Sequence, residues 1–189
     1  MKKRIIITII SFMLVFCAFN STSFAFVRLG LGKVKGGAQN IKFWISSNAT
    51  EYQDSIKNGI TKWNGITSKV SVSRTTTKSQ SRCDNYWGDY FDDDEDGTIA
   101  ETFFYLNNVI TNNDVDWYWC KIKYNSNEYN YSELDYTHRK AVAAHEYGHF
   151  LGLAHRNSIS CLMYPYGDTC TATGPTQDEK NGIKFIYGE

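Results

Sequence analysis

The chain has 189 residues, and its 20 lysines and arginines balance 20 aspartates and glutamates, so the formal net charge is zero. This balance argues against a nucleic-acid partner and against a polybasic membrane-binding segment. The length suits one domain with a hydrophobic core of ordinary size.

The beginning of the chain has the three parts of a secretory signal peptide. Residues 2–4 are basic, residues 5–19 are apolar, and residues 23–25 form a small-x-small cleavage site, Ser-Phe-Ala. The apolar stretch is shorter than the ~20 residues that a membrane-spanning helix needs, so cleavage is favoured over stable membrane insertion. We therefore expect a secreted protein with a signal peptide over 1–25 and one domain over 26–189.

The first half of that domain predicts a sheet and one early helix. Residues 49–63 place apolar side chains at helical spacing and predict an amphipathic helix. Residues 75–97 are polar and are interpreted as loop. Runs rich in β-branched, aromatic and other apolar residues predict four strands, at 41–45, 69–74, 98–106 and 117–124.

The second half predicts two helices separated by a loop over 156–174. The first is long, ends near Leu151, and could be capped by Ser132 or Thr137. The last helix follows a capping box in which Thr176 stands three residues before Glu179. Strands and one helix followed by two more helices predict an α+β domain.

The stretch from His145 to His155 reads H-E-x-x-H-x-x-G-x-x-H and carries the most specific chemical pattern in the chain. Residues four apart on a helix share a face, so His145 and His149 can direct two imidazoles at one metal ion. Gly152 can end the helix and let the chain return, so that His155 becomes the third ligand. Three protein ligands leave one position of a tetrahedral zinc open, which is typical of catalytic sites.

Glu146 adds a proton acceptor beside the first ligand. Its carboxylate can take a proton from the attacking water and later deliver it to the leaving amine, without binding the metal itself. Three of the four histidines in the chain fall in this single register, so chance placement of core or surface histidines explains the pattern poorly. The residues predict metal-assisted hydrolysis with one catalytic zinc.

Two further segments narrow this interpretation. The histidine motif followed by a Met-turn is the metzincin pattern, and Leu-Met-Tyr-Pro places Met163 eight residues after His155. Residues 175–188 look like the last helix of a matrixin catalytic domain, with an acidic pair, Gly-Ile and an aromatic-Gly ending. The chain therefore resembles the metzincin metalloproteases, and within them the matrixins, most strongly over 134–188.

The resemblance implies a metzincin-like fold, in which a twisted mixed sheet packs with a long active-site helix and a C-terminal helix. It implies a zinc endopeptidase that hydrolyses peptide bonds by a zinc-activated water, with Glu146 as general base. With its signal peptide, we expect such an enzyme to be secreted, and we expect it to be a monomer. Met163 would pack beneath the metal. Strand 98–106 would lie at the sheet edge beside the zinc, where an extended polypeptide substrate can add to it.

An alternative function is a catalytically silent zinc-containing binding or adhesion module on the same fold. Glu146 argues against it, because binding alone needs no base. The chain also departs from the family pattern. No pro-segment is evident after the signal peptide, His138 is the only histidine left for a structural zinc, and Arg156 follows the third ligand.

Four cysteines lie beyond the signal peptide, and an even number in an exported chain predicts two disulfides. Of the three pairings, Cys83–Cys120 and Cys161–Cys170 are favoured. The alternative is buried free thiols.

An acidic run before Gly97 has the spacing D-x-D-x-D-G, so that Asp92, Asp94 and Asp96 could bind calcium. A full EF-hand loop needs glutamate at its twelfth position, where this chain has Phe103. A calcium site here would have another geometry, and the alternative is a solvated acidic turn.

Overall fold

The computed structural model describes residues 26–89, 97–126 and 131–189. Within these ranges the chain forms one mixed sheet and three α-helices, which is the α+β architecture that the sequence predicts. The strands are β1 (Ala38–Ile45), β2 (Val70–Arg74), β3 (Cys83–Gly88), β4 (Ala100–Leu106), β5 (Val109–Ile110) and β6 (Trp119–Asn125), and the helices are α1 (Gln53–Ile60), α2 (Tyr136–Phe150) and α3 (Gln177–Tyr187).

The sheet has the strand order β2-β1-β3-β6-β4-β5. Its first four strands are parallel, whereas β4 runs antiparallel to both β6 and β5. Strand β5 pairs only with Tyr105 and Leu106. Among the described residues, the rest of β4 therefore has no strand on its outer side, and the expectation that this strand forms a sheet edge is met.

The interpretation of 75–97 as loop is wrong, because this segment contains the central strand β3. Its sequence hides the strand, since Asp84 and Asn85 are polar and yet buried. The Asn85 amide donates to the Trp44 carbonyl at 3.0 Å, and its oxygen accepts from the Tyr124 hydroxyl at 3.0 Å. A buried polar side chain is tolerated in a sheet when its hydrogen bonds are satisfied. The polar residues of this segment therefore did not indicate a loop, as the prediction assumed.

The early helix is confirmed, although only Gln53–Ile60 is α-helical and 3₁₀ turns flank it at Ser47–Tyr52 and Thr61–Trp63. Its face toward α2 is tightly packed. The Trp63 indole donates to the Ala144 carbonyl at 2.9 Å. A Cβ on Gly59 would lie 2.3 Å from the Lys140 carbonyl oxygen, so the two helices approach as closely as glycine permits.

We expect Gly59→Ala to lower the melting temperature. Overpacking typically costs about 1–3 kcal/mol, and here the obstacle is backbone, which moves little. This cost exceeds the ~1 kcal/mol that alanine gains over glycine in a helix. Thermal unfolding checks the prediction against Gly174→Ala, whose new methyl would meet only the flexible Lys62 side chain. Equal melting temperatures in the two variants would contradict it.

Helix α2 begins and ends at specific hydrogen bonds. The Asp135 carboxylate accepts from the His138 backbone N–H at 2.8 Å, so the predicted caps Ser132 and Thr137 are wrong. At the other end, the Trp117 indole donates to the Phe150 carbonyl at 3.0 Å. The helix that carries the histidine motif is thus fixed at both ends. The capping box of α3, predicted from Thr176 and Glu179, is confirmed.

The first described residues form a strap across the end of α2. The Leu29 N–H donates to the Gly152 carbonyl at 2.9 Å, and the Ala154 N–H donates to the Val27 carbonyl at 2.8 Å. These bonds bracket the turn between Gly152 and His155. The strap therefore fixes the segment that returns the third histidine to the other two.

Candidate active site

Helix α2 and the turn after it bring the three motif histidines together. His145 and His149 lie one helical turn apart, and Gly152 ends the helical run with φ of 95°, a left-handed conformation that favours glycine. His155 then folds back. Its Nε2 atom lies 3.1 Å from the Nε2 atom of His145 and 3.1 Å from that of His149.

The backbone around the site selects the tautomer of two rings. Nδ1 of His145 donates to the Leu162 carbonyl at 2.8 Å, and Nδ1 of His149 donates to the Leu153 carbonyl at 2.8 Å. A carbonyl can only accept, so the proton of each neutral ring sits on Nδ1 and the Nε2 lone pair is left for a metal. Both rings thus present a ligand atom to one point.

The charge state of the rings also suits a metal. Burial, followed by the neighbouring histidines, lowers the pKa of His145 to about 3 and that of His149 to about 4. Burial also lowers the pKa of His155. Nitrogens on one tetrahedral zinc at ~2.05 Å lie ~3.3 Å apart, which is near the 3.1 Å spacing found here. The residues therefore fit zinc.

Glu146 is buried next to this cluster, on the side that faces β4. The Thr102 hydroxyl donates to its Oε2 atom at 2.7 Å. Burial raises the pKa of Glu146, while His145 and the Thr102 hydrogen bond lower it. Thr102 is not among the site residues predicted from the sequence, although it lies in a strand predicted to lie beside the zinc, and that position was a usable signal.

Met163 is buried beneath the helix that carries the histidines. Its sulfur lies 2.6 Å from the position that a Cβ on Gly148 would occupy, so glycine next to His149 makes room for it. The Met163 N–H donates to Oε1 of Glu179 in α3 at 3.2 Å. The methionine turn is therefore packed against α2 and tied to the C-terminal helix.

Arg156, a departure from the family pattern, forms an ion pair with Asp178 of α3. Its guanidinium also donates to the Cys161 sulfur at 3.1 Å. The loop that follows the third histidine is thereby fastened to the same helix that holds the Met-turn.

A cavity of about 460 Å³ opens beside His145 and Glu146. Residues 97–100, which lead into β4, and residues 165–168 both line it. Its apolar lining includes Ile99, Ala141, Val142 and Leu162. The cavity can accept a large, mostly apolar side chain of a molecule held at the histidines.

The four cysteines are buried free thiols in this structure. Cys83 and Cys120 face each other in register on β3 and β6, and the Cys170 sulfur lies 3.2 Å from the Cys161 carbonyl. Each favoured pair is thus close, and the two disulfides stay a prediction. Residues 1–25 and the acidic side chains proposed for calcium lie outside the described residues.

The comparisons with known proteins agree with this geometry. A family model described as Matrixin matches residues 39–188. Interstitial collagenase of Bos taurus is 51% identical over 47 residues, and neutrophil collagenase of Homo sapiens is 50% identical over 50 residues. Each match covers 25% of this chain and 10% of the relative, so the aligned segment spans about a tenth of the collagenases' length.

Matrixins are zinc metalloendopeptidases, and the group formed by His145, His149 and His155 is compatible with that chemistry. The mixed sheet, the long helix α2 and the C-terminal helix α3 are those of a matrixin catalytic domain. The family model extends from within β1 to the residue after α3, and therefore over nearly all of the described fold. This chain belongs to the matrixin family.

Proposed function

We propose that this chain is a zinc-dependent endopeptidase. The observation that carries the proposal is the convergence of three neutral imidazoles, with Nε2 spacings of 3.1 Å, beside the buried carboxylate of Glu146. A binding module would need the histidines alone. A base next to them, in the lining of a cavity of about 460 Å³, supports hydrolysis.

Zinc, when bound, supplies a Lewis acid that acidifies a water molecule and polarises a carbonyl group. The chain's own residues do the rest. The histidines hold the ion, with their Nδ1 atoms fixed by backbone carbonyls. Glu146 accepts the proton of the attacking water and then gives it to the leaving nitrogen. Its pKa, raised by burial, makes the carboxylate a stronger base than an exposed glutamate.

The proposed substrate class rests on the side of β4 where the described residues place no neighbouring strand beyond the short pairing with β5. Backbone groups on an edge strand pair readily with an added extended chain, and residues 97–100 also line the cavity beside Glu146. An extended polypeptide paired with this strand would carry a side chain into the cavity while its carbonyl lies at the histidines. We therefore propose polypeptides as substrates.

The cavity should set the preference for the substrate residue next to the cleaved bond. Ala141 lies in α2 and lines the cavity. We expect Ala141→Leu to shorten the cavity, so that kcat/KM falls for peptides with a large residue at that position and changes little for peptides with a small one. One missing or added methylene changes such discrimination by about 10–200-fold. Paired peptides differing at that single residue measure the effect, and equal changes for both would contradict it.

Cleavage of a diverse peptide library, with the cut sites mapped by mass spectrometry, tests the proposed function. The same sample is assayed for zinc, and Glu146→Ala is the control. Cut sites present only in the wild-type digest support the endopeptidase. Bound zinc without any cut site would favour the silent binding module.

We also propose export, two disulfides and a monomeric state. Members of the family are secreted or extracellular proteins, which supports cleavage after Ala25 and oxidised cysteines. No helix in the described part of the chain is long and apolar enough to cross a membrane. We also propose that Asp92, Asp94 and Asp96 bind a calcium ion.

A further inference from the structure

The carboxylate of Glu146, carried by α2, accepts a hydrogen bond from the sheet. Thr102 lies in the middle of β4, is 9% exposed, and points its hydroxyl at Glu146. Its Oγ1 atom lies 2.7 Å from Oε2 of the carboxylate and 3.0 Å from the Glu146 carbonyl oxygen. The hydroxyl has one proton, and the charged carboxylate is both the nearer and the stronger acceptor.

The position of that hydroxyl is set by the sheet. Thr102 is paired with Ile122 of β6, between the pairs Glu101–Lys123 and Phe103–Lys121. Both neighbouring pairs continue the same antiparallel ladder. Because threonine is branched at Cβ, its χ1 angle has few accessible values. The donor therefore stands on a rigid element, which is the condition for precise placement of a catalytic group.

We propose that Thr102 is a positioning residue for the general base. Its hydroxyl occupies Oε2 of Glu146 and fixes the plane of the carboxylate. The other oxygen, Oε1, is left to take the proton of the water and to pass it to the leaving nitrogen. This inference rests on the proposed hydrolysis. In addition to lying beside the proposed substrate, β4 would then orient the carboxylate of Glu146 through Thr102.

A purely structural role for Thr102 makes a different prediction. A buried carboxylate needs a hydrogen-bond donor, so loss of the hydroxyl would lower stability in either case. Positioning predicts in addition that kcat falls while KM stays, because the base acts in the chemical step and does not hold the peptide.

The kinetic test compares Thr102→Val, which keeps the shape, with Thr102→Ser, which keeps the hydroxyl. With one zinc per chain in every sample, we expect Thr102→Val to lower kcat about 10–100-fold, in line with the effect of small misplacements of catalytic groups. The KM of Thr102→Val should stay within about twofold of the wild-type value. The kcat of Thr102→Ser should stay within about threefold of the wild-type value. Unchanged kcat in Thr102→Val, or an equal loss in both variants, would overturn the proposal.

Thr67→Val is a matched control, since Thr67 is also largely buried and its hydroxyl donates to the carbonyl of Gly188, the residue after α3, at 2.7 Å. We expect it to lower the melting temperature without changing kcat. A fall in kcat like that of Thr102→Val would show that loss of any buried threonine bond is enough, and would overturn the positioning role.

Crystal structures of the metal-free variants supply a readout that does not need activity. The Glu146 carboxylate should keep its place in the wild type and in Thr102→Ser, and should turn away from it in Thr102→Val. An unmoved carboxylate in Thr102→Val would overturn the proposal. If the wild type cuts no peptide, the proposed hydrolysis fails, whereas these structures still decide whether Thr102 holds Glu146.

Discussion

Glu146→Gln is expected to lower kcat by about 10²–10⁴-fold, the usual contribution of a positioned acid–base group, while one zinc per chain is retained. Glutamine has nearly the shape of glutamate, and its amide oxygen can still accept from the Thr102 hydroxyl. It cannot take a proton from water. The loss should therefore appear in kcat, without a matching change in KM.

The zinc content and the melting temperature of Glu146→Gln are its internal controls. If Glu146→Gln keeps the wild-type zinc content and melting temperature but loses activity, Glu146 acts in the chemical step. Full activity in Glu146→Gln would contradict the assignment of this residue as general base and would require a different proton acceptor.

His149→Ala should remove the zinc and the activity together. Loss of one of three nitrogen ligands leaves His145 and His155, which do not complete the three-ligand set typical of catalytic zinc. The stabilisation that comes from binding zinc only in the folded state is lost as well. We expect added zinc to raise the melting temperature of the wild type and to leave that of His149→Ala almost unchanged.

His138→Ala is the matched control for this variant, because His138 is the fourth histidine and lies on the same helix. Its Nδ1 atom is 2.9 Å from the Asp135 carboxylate, at the start of α2. The control should bind zinc and cleave peptide as the wild type does, with at most a small loss of stability. Equal zinc binding in His149→Ala and His138→Ala would contradict the three-histidine site.

The sequence could predict those parts of the fold whose geometry is set by residues close together along the chain. The spacing of His145, His149 and His155 encodes a helix turn and a reversal, and the capping box of Thr176 and Glu179 encodes a helix start. Such patterns depend on contacts within a few residues. They are therefore readable without knowing what packs against them, and the structure brings the three histidines together.

Other parts depended on contacts far along the chain. Strand β3 is polar at Asp84 and Asn85, and the Asn85 side chain donates to the Trp44 carbonyl and accepts from the Tyr124 hydroxyl. No local pattern marks such a strand. The contact between Thr102 and Glu146 joins residues 44 positions apart, so it emerged only when the sheet and the helix were placed together.

Titration of zinc into the metal-free protein, with the rate of cleavage of one peptide followed at each addition, tests the central claim most directly. If the three histidines hold one catalytic zinc, the rate rises with added zinc and levels off at one equivalent per chain, and His149→Ala shows no comparable rate. Cleavage that does not depend on zinc, or zinc binding at one equivalent with no cleavage of any peptide from the library, would contradict it.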